Sequence, residues 1–248
     1  MKYMGSKSRI AKHIVPIIQS YIDTTNCKGY LEPFVGGANV IDKIKHPCKI
    51  GSDKNKYLIA LLKWVQCGGE LYESVTKELY DKARNAFNTN DDTKFSDWEM
   101  GNIGFLASYN GRWFDGGYAK SGYEKTKTGM RFRDYYQEAK SNLLEQAPDL
   151  FSIKFDCKDY REYKDLKGFV IYVDPPYQNT KQYANAIKFD YDEFWETMRE
   201  WSKDNTVLIS EETAPEDFEC IWEQEVSRSI KAGDKSKSTE KLFKFKVN

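Results

Sequence analysis

Four consecutive residues, Asp174-Pro175-Pro176-Tyr177, directly follow the uninterrupted apolar run Phe169-Val170-Ile171-Tyr172-Val173. Such a run reads as a strand buried on both faces. Two prolines in a row can neither continue a ladder nor begin an ordinary helical turn, so they hold the backbone stiff and extended at the strand's carboxyl end. Ligands of open α/β sheets bind at that end. Asp174 and the carbonyl of Pro175 can accept the two hydrogens of an amino group while Tyr177 stacks on its ring. The set suits a planar molecule bearing an exocyclic amine; the plain alternative is a strand-ending turn with a buried tyrosine.

A second cluster lies nearer the start. Gly29-Tyr30-Leu31-Glu32 reads as a short buried strand stopped by Pro33, Val35-Gly36-Gly37-Ala38 as a turn into a helix from Asn39, and Cys48-Lys49-Ile50-Gly51 as a strand ending at Ser52-Asp53. Strand, glycine turn, helix and strand make a right-handed parallel crossover. Glycines let a ligand approach the backbone, but Gly36-Gly37 lacks the G-x-G-x-x-G spacing of a pyrophosphate cradle. That weighs against a dinucleotide and a nucleotide-dependent oxidoreductase. Asp53, 17 residues after Gly36, is placed to hold both hydroxyls of a ribose, with a helix N-cap as its alternative role. A nucleoside cofactor without phosphates fits.

The elements that must position these groups follow from apolar spacing. Residues 6–22 place Ile10, Ile14, Ile17, Ile18 and Tyr21 at helical intervals behind a Ser6 or Ser8 cap, with a kink at Pro16. Helical recurrence returns over residues 58–65, 71–87, 98–109, 132–144 and 191–201. Strand signals occur at 151–155, 169–173, 206–209, 220–230 and 241–247, the last two alternating apolar and polar residues as an antiparallel edge hairpin does. The chain therefore reads as an α/β sheet interrupted after its second strand, with residues 1–56 and 148–248 in one domain and 57–147 in a helical subdomain. Inside the insertion, residues 110–130 form a polar, Gly-rich loop without periodicity, and a loop that long is usually functional or mobile. With its flanks it carries Arg112, Lys120, Lys125, Lys127, Arg131 and Arg133 among Trp113, Phe114, Tyr118, Tyr123 and Phe132. This mixture suits phosphate and base contacts; a solvated, flexible insertion is the alternative.

The 38 basic and 38 acidic residues cancel in sum but not in place. Residues 1–20 hold four bases and no acid, residues 228–248 seven bases against two acids, and residues 189–225 thirteen acids against two bases. Separated basic segments can bind a polyanion despite a neutral total. Five scattered cysteines without a C-x-x-C pair, and two histidines, argue against a disulfide framework or a zinc centre, so no metal is expected. No run reaches the roughly 20 apolar residues of a membrane helix and no apolar signal core opens the chain, which predicts a cytoplasmic protein without a membrane partner.

Three motifs in register resemble the Dam-like DNA adenine methyltransferases of phages and prokaryotes. Tyr3-Met4-Gly5-Ser6-Lys7 is similar to their N-terminal motif, Glu32-Pro33-Phe34-Val35-Gly36-Gly37 to their cofactor motif and Asp174-Pro175-Pro176-Tyr177 to their catalytic motif. Glu240-Lys241-Leu242-Phe243 also resembles phage-type members. The resemblance implies a Rossmann-like, S-adenosylmethionine-dependent methyltransferase sheet with an antiparallel C-terminal hairpin and an inserted helical target-recognition subdomain. It implies cofactor contacts from Tyr3, Lys7 near the methionine carboxylate, Glu32, Phe34, Gly36, Asp53 and Asp174. Asp156 and Cys157 would fall in the loop against the cofactor's adenine, with a helix cap at Asp156 or Asp159 as the alternative. DNA contacts would come from Arg112 at a base edge and from Lys125, Lys127, Arg131 and Arg133. The implied reaction is methyl transfer to the amino group of a flipped adenine in a specific double-stranded sequence, by a monomer, in a bacterial or phage-infected cell. A cytosine amino-methyltransferase and a catalytically silent DNA-binding protein are the alternatives; Asp rather than Ser at 174 and the motif order favour adenine.

Overall fold

The protein is represented by a computed structural model, which describes residues 1–126, 129–176, 189–228 and 236–246. Its first half contains α1 (Ala11–Thr25), β1 (Gly29–Glu32), β2 (Lys49–Asp53), α2 (Lys56–Gln66), α3 (Lys77–Asn88), α4 (Asp97–Gly101), β3 (Gly122–Thr126) and β4 (Gly129–Arg133). There follow α5 (Tyr135–Leu150), β5 (Ile153–Cys157), β6 (Phe169–Val173), α6 (Tyr191–Ser202), β7 (Thr206–Glu211), β8 (Phe218–Arg228) and β9 (Ser236–Phe245). Among the described residues the main sheet has seven strands in the order β5-β2-β1-β6-β7-β9-β8. Its first five are parallel, and β9 enters antiparallel between β7 and β8, as the alternating end of the chain predicts.

The chain runs from β1 outward to β2 and β5, then returns past β1 to β6. The strand order therefore reverses between β1 and β6, and their carboxyl ends frame the crevice where such sheets take ligands. β6 is apolar throughout because both of its faces are covered. Val170 and Tyr172 join the core beneath α1, α2 and α5, while Ile171 and Val173 join Phe194, Met198 and Trp201 of α6.

Four local expectations need correction. No α-helix starts at Asn39; only a 3-10 turn, Ile41–Lys43, connects β1 to β2. Gly36 and Ala38 sit at φ 48° and 56°, so the backbone enters this stretch as a left-handed turn, and the Gln146 side-chain amide braces it by donating to the Gly37 and Ala38 carbonyls at 3.2 and 2.9 Å. α3 begins at Lys77 rather than near 71, where the Thr76 hydroxyl accepts the Leu79 amide at 3.2 Å. α4 is short and passes into a π-helical turn, Asn102–Leu106, instead of running regularly to 109. The 110–130 stretch is not structureless, since it contains β3 and the start of β4, paired as an antiparallel hairpin.

Candidate active site and DNA interface

Asp174 leaves β6 at the crevice, and its Oδ1 meets Lys7 Nζ at 2.9 Å. Lys7, only 7% exposed, also faces Glu240 Oε2 of β9 at 3.6 Å. Burial opposes the Lys7 charge, but Asp174, Tyr172 and Glu240 outweigh it and hold the ammonium above its ordinary value. Burial likewise pushes the Asp174 carboxyl up while Lys7 pulls it back. Asp174 Oδ1 accepts from the Lys7 ammonium. Tyr191 donates its hydroxyl to the Pro176 carbonyl at 2.6 Å, whereas no donor reaches the Pro175 carbonyl among the described residues. Tyr177 lies outside the described residues.

On the β1 side the left-handed Gly36 lies under the Tyr3 ring, which a Cβ there would approach to 3.0 Å. The Gly36 amide donates to Asp53 Oδ2 at 3.4 Å and the Asn55 amide to Oδ1 at 2.9 Å. The cap of α2 is Asn55, which accepts the Tyr57 and Leu58 amides, so the capping role considered for Asp53 belongs to its neighbour. Burial raises the Asp53 carboxyl against those two amides, and each oxygen keeps a lone pair for a further donor. Glu32 is placed otherwise. It is 3% exposed and accepts the Tyr30 hydroxyl at 2.6 Å, with burial holding it well above its ordinary value. Phe34 packs against Tyr160, Phe189 and Phe194.

Asp156 and Cys157 are the last residues of β5 rather than a loop beyond it, in register with Ser52 and Asp53. Asp156 accepts the Tyr163 hydroxyl at 3.2 Å. The cap nearby is Asp159, in a capping box with Glu162.

Towards the insertion, Arg112 is exposed between Gly111 and the buried Trp113, both at positive φ. A Cβ on Gly111 would lie 2.6 Å from the Lys2 carbonyl, so this turn is pressed against the N-terminal motif. On the β3–β4 hairpin Tyr123 opposes Phe132 and Lys125 opposes Met130. Tyr123, Met130 and Phe132 are 73%, 65% and 54% exposed, and Lys125 and Arg131 are exposed beside them. Arg133 faces inward instead, bonding both oxygens of Glu138 at 2.8 and 2.9 Å. Lys127 lies outside the described residues.

Two acids near Asp174 were not among the expected contacts. Glu240 stands within the C-terminal motif, and Glu211 closes the strand segment Val207-Leu208-Ile209-Ser210 as Asp53 closes Ile50-Gly51-Ser52. Among the described residues no cluster could hold a metal ion, and no helix is long and apolar enough to cross a membrane.

The parallel sheet whose order reverses between β1 and β6, with the antiparallel β9 set between β7 and β8, is the sheet of a Rossmann-like methyltransferase fold. The sequence profile of the D12 class N6 adenine-specific DNA methyltransferases matches residues 3–213, and the chain belongs to that family. By its description that family methylates adenine in DNA at N6. The Type II methyltransferase M.MjaIII of Methanocaldococcus jannaschii is 28% identical over 220 residues, covering 78% of this chain and 74% of that protein. The solved structure of SMU.472 complexed with SAH aligns with 96% of this chain at 11% identity and a TM-score of 0.32. This chain spans about half, 54%, of that one.

Proposed function

We propose that the protein methylates the exocyclic amino group of one adenine, extruded from a specific double-stranded sequence, in a single direct transfer. The observation that carries this reading is the placement of Asp53 with Gly36 and of Asp174 with Pro175 at the two sides of one crevice. The donor set fits a nucleoside without phosphates: Asp53 can take a ribose diol, Tyr3 and Phe34 offer aromatic surface, and Asp156 and Cys157 lie at the neighbouring strand end. When bound, S-adenosylmethionine supplies a methyl group activated by its sulfonium sulfur. Asp174 Oδ2 and the Pro175 carbonyl accept the two amine hydrogens and turn the nitrogen lone pair outward, and the carboxylate receives the proton that the alkylated amine must lose. Lys7 holds Asp174 ionised and fixed for this role. Stacking on Tyr177 offsets part of the unstacking cost of the extruded base.

Residues 57–147 serve as target-recognition subdomain. There Arg112 reads a base edge, Lys125, Lys127 and Arg131 meet phosphates, and Arg133 orients the hairpin. One chain carries every group named, so a monomer in the cytoplasm of a bacterial or phage-infected cell suffices. The test is methyl transfer from labelled S-adenosylmethionine to unmethylated DNA, followed by nucleoside analysis and modification-sensitive sequencing. N6-methyladenine in one sequence context is expected; methyl on the cytosine amine, or none, overturns the reading.

A further inference from the structure

Beyond β6, on the side away from the glycine turn, a cleft of about 200 Å³ is lined by Tyr191, Trp195, Glu211, Thr213, Ala214 and Pro215. It adjoins the catalytic motif through the Tyr191 bond to Pro176. Glu211 ends β7 two residues past Ile209, which pairs with Val173 just before Asp174. Glu211 is 4% exposed. Its Oε1 accepts the Glu212 amide at 2.8 Å, while its Oε2 is buried with no hydrogen-bond partner among the described residues. Leaving such an oxygen unbonded is costly, and that marks it as a place for a ligand atom.

The surroundings narrow the ligand. Among the described residues no base lines the cleft, and Asp190, Asp192 and Glu193 open the adjoining helix, so a phosphate or carboxylate is disfavoured there. Two aromatic side chains suit a flat, uncharged ring. The volume is below the roughly 300–1,000 Å³ of ordinary small-molecule pockets, which matches one base rather than a whole nucleoside cofactor. We propose that Glu211 reads the extruded adenine: its unpartnered oxygen, as the neutral acid, donates a hydrogen bond to a ring nitrogen while Asp174 and Pro175 hold the amino group. This inference rests on adenine being the methyl acceptor.

The charged and titratable groups facing Glu211 are Asp174 from β6, Glu212 beside it, Lys7 from the N-terminal turn, Tyr191 from α6 and its cross-strand partner Lys241 on β9. Burial first, then Asp174 and Glu212, push its carboxyl up to about 7 against the Glu212 amide and Lys7. The donor form is therefore present at and below neutrality.

The test uses the duplex identified by sequencing, with its target adenine intact or replaced by 1-, 3- or 7-deazaadenine, each lacking one ring acceptor. Affinity in the presence of S-adenosylhomocysteine and single-turnover methylation are measured for wild type, Glu211→Gln and Glu211→Leu from about pH 6 to about pH 8.5. Wild type should lose roughly tenfold in affinity on one analogue. Glu211→Leu should show that loss already on the intact duplex and none further on the analogue. Wild-type affinity should fall above about pH 7, whereas Glu211→Gln, which donates at every pH, should stay level. Equal analogue losses in wild type and Glu211→Leu, or one pH slope shared by wild type and Glu211→Gln, overturn the contact. Wild-type methylation of the intact duplex is the control on the functional reading, so negative results beside it remove Glu211 alone.

Discussion

Asp53 and Asp174 each stand at the carboxyl end of a parallel strand, yet their surroundings assign them different partners. Asp53 is bonded by two backbone amides, which hold its oxygens in place and add no charge. A ribose diol would supply the charge-assisted bonds still open to it. Asp53→Ala should weaken S-adenosylmethionine binding by about 1.5–3 kcal/mol per lost bond at most, read by calorimetry. The fold should persist because Asn55, not Asp53, caps α2. Unchanged affinity in a folded variant would restrict Asp53 to pinning the Gly36 turn. Asp174 instead faces a buried lysine. Asp174→Ala removes the acceptor that orients the amine, so single-turnover methylation should drop by at least about 100-fold. It also takes from the buried Lys7 its carboxylate at 2.9 Å, with Glu240 farther off at 3.6 Å, so thermal stability should fall with it. A folded variant with near-normal turnover would show that another group orients the base.

The β3–β4 hairpin leaves Tyr123, Met130 and Phe132 exposed. A two-stranded hairpin is marginal by itself, and this one is tied down by Arg133 bonded to Glu138 and by Ser121 bonded to Asp134, the cap of α5. Its aromatic and basic outer face is left uncovered, as a contact surface would be. Lys125→Ala should weaken binding to all DNA sequences alike and reduce the salt slope by about one. Arg133→Ala and Glu138→Ala should each cost similar affinity by freeing the hairpin. If only the arginine mattered in binding titrations, Arg133 would be a phosphate contact after all.

Global stability should register the acid buried where β7 meets α6. The Glu211 carboxyl rises from an ordinary 4.5 to about 7, chiefly through burial. An acid raised in the folded state contributes stability that is complete below about 4.5 and lost as pH rises through about 7. Glu211→Gln removes that loss. It should unfold at a higher temperature than wild type at alkaline pH, by the equivalent of about 2–3 kcal/mol, with the gap closing near the ordinary glutamate value. A difference that does not vary with pH would mean that the carboxyl titrates normally.

β6 and the acid that follows it were legible because a strand buried on both faces is an unbroken apolar run and the prolines stop it, whereas β1 and β2, which carry polar residues, were legible as short segments on either side of the Gly36-Gly37 turn. The antiparallel end of the sheet was legible in its alternation. The helix expected from Asn39 does not form, because the backbone turns through left-handed Gly36 and Ala38 and Gln146, far away in the chain, braces that turn. Arg133 could not be separated from its basic neighbours until Glu138 was seen beside it. Apolar periodicity is a local property, and residues 7, 174 and 240 share no local pattern. Only the return of the chain past β1 brings Lys7, Asp174 and Glu240 into one ion-pair cluster and sets Glu211 beside the catalytic motif, because charge interactions depend on distance in space and not on separation along the chain.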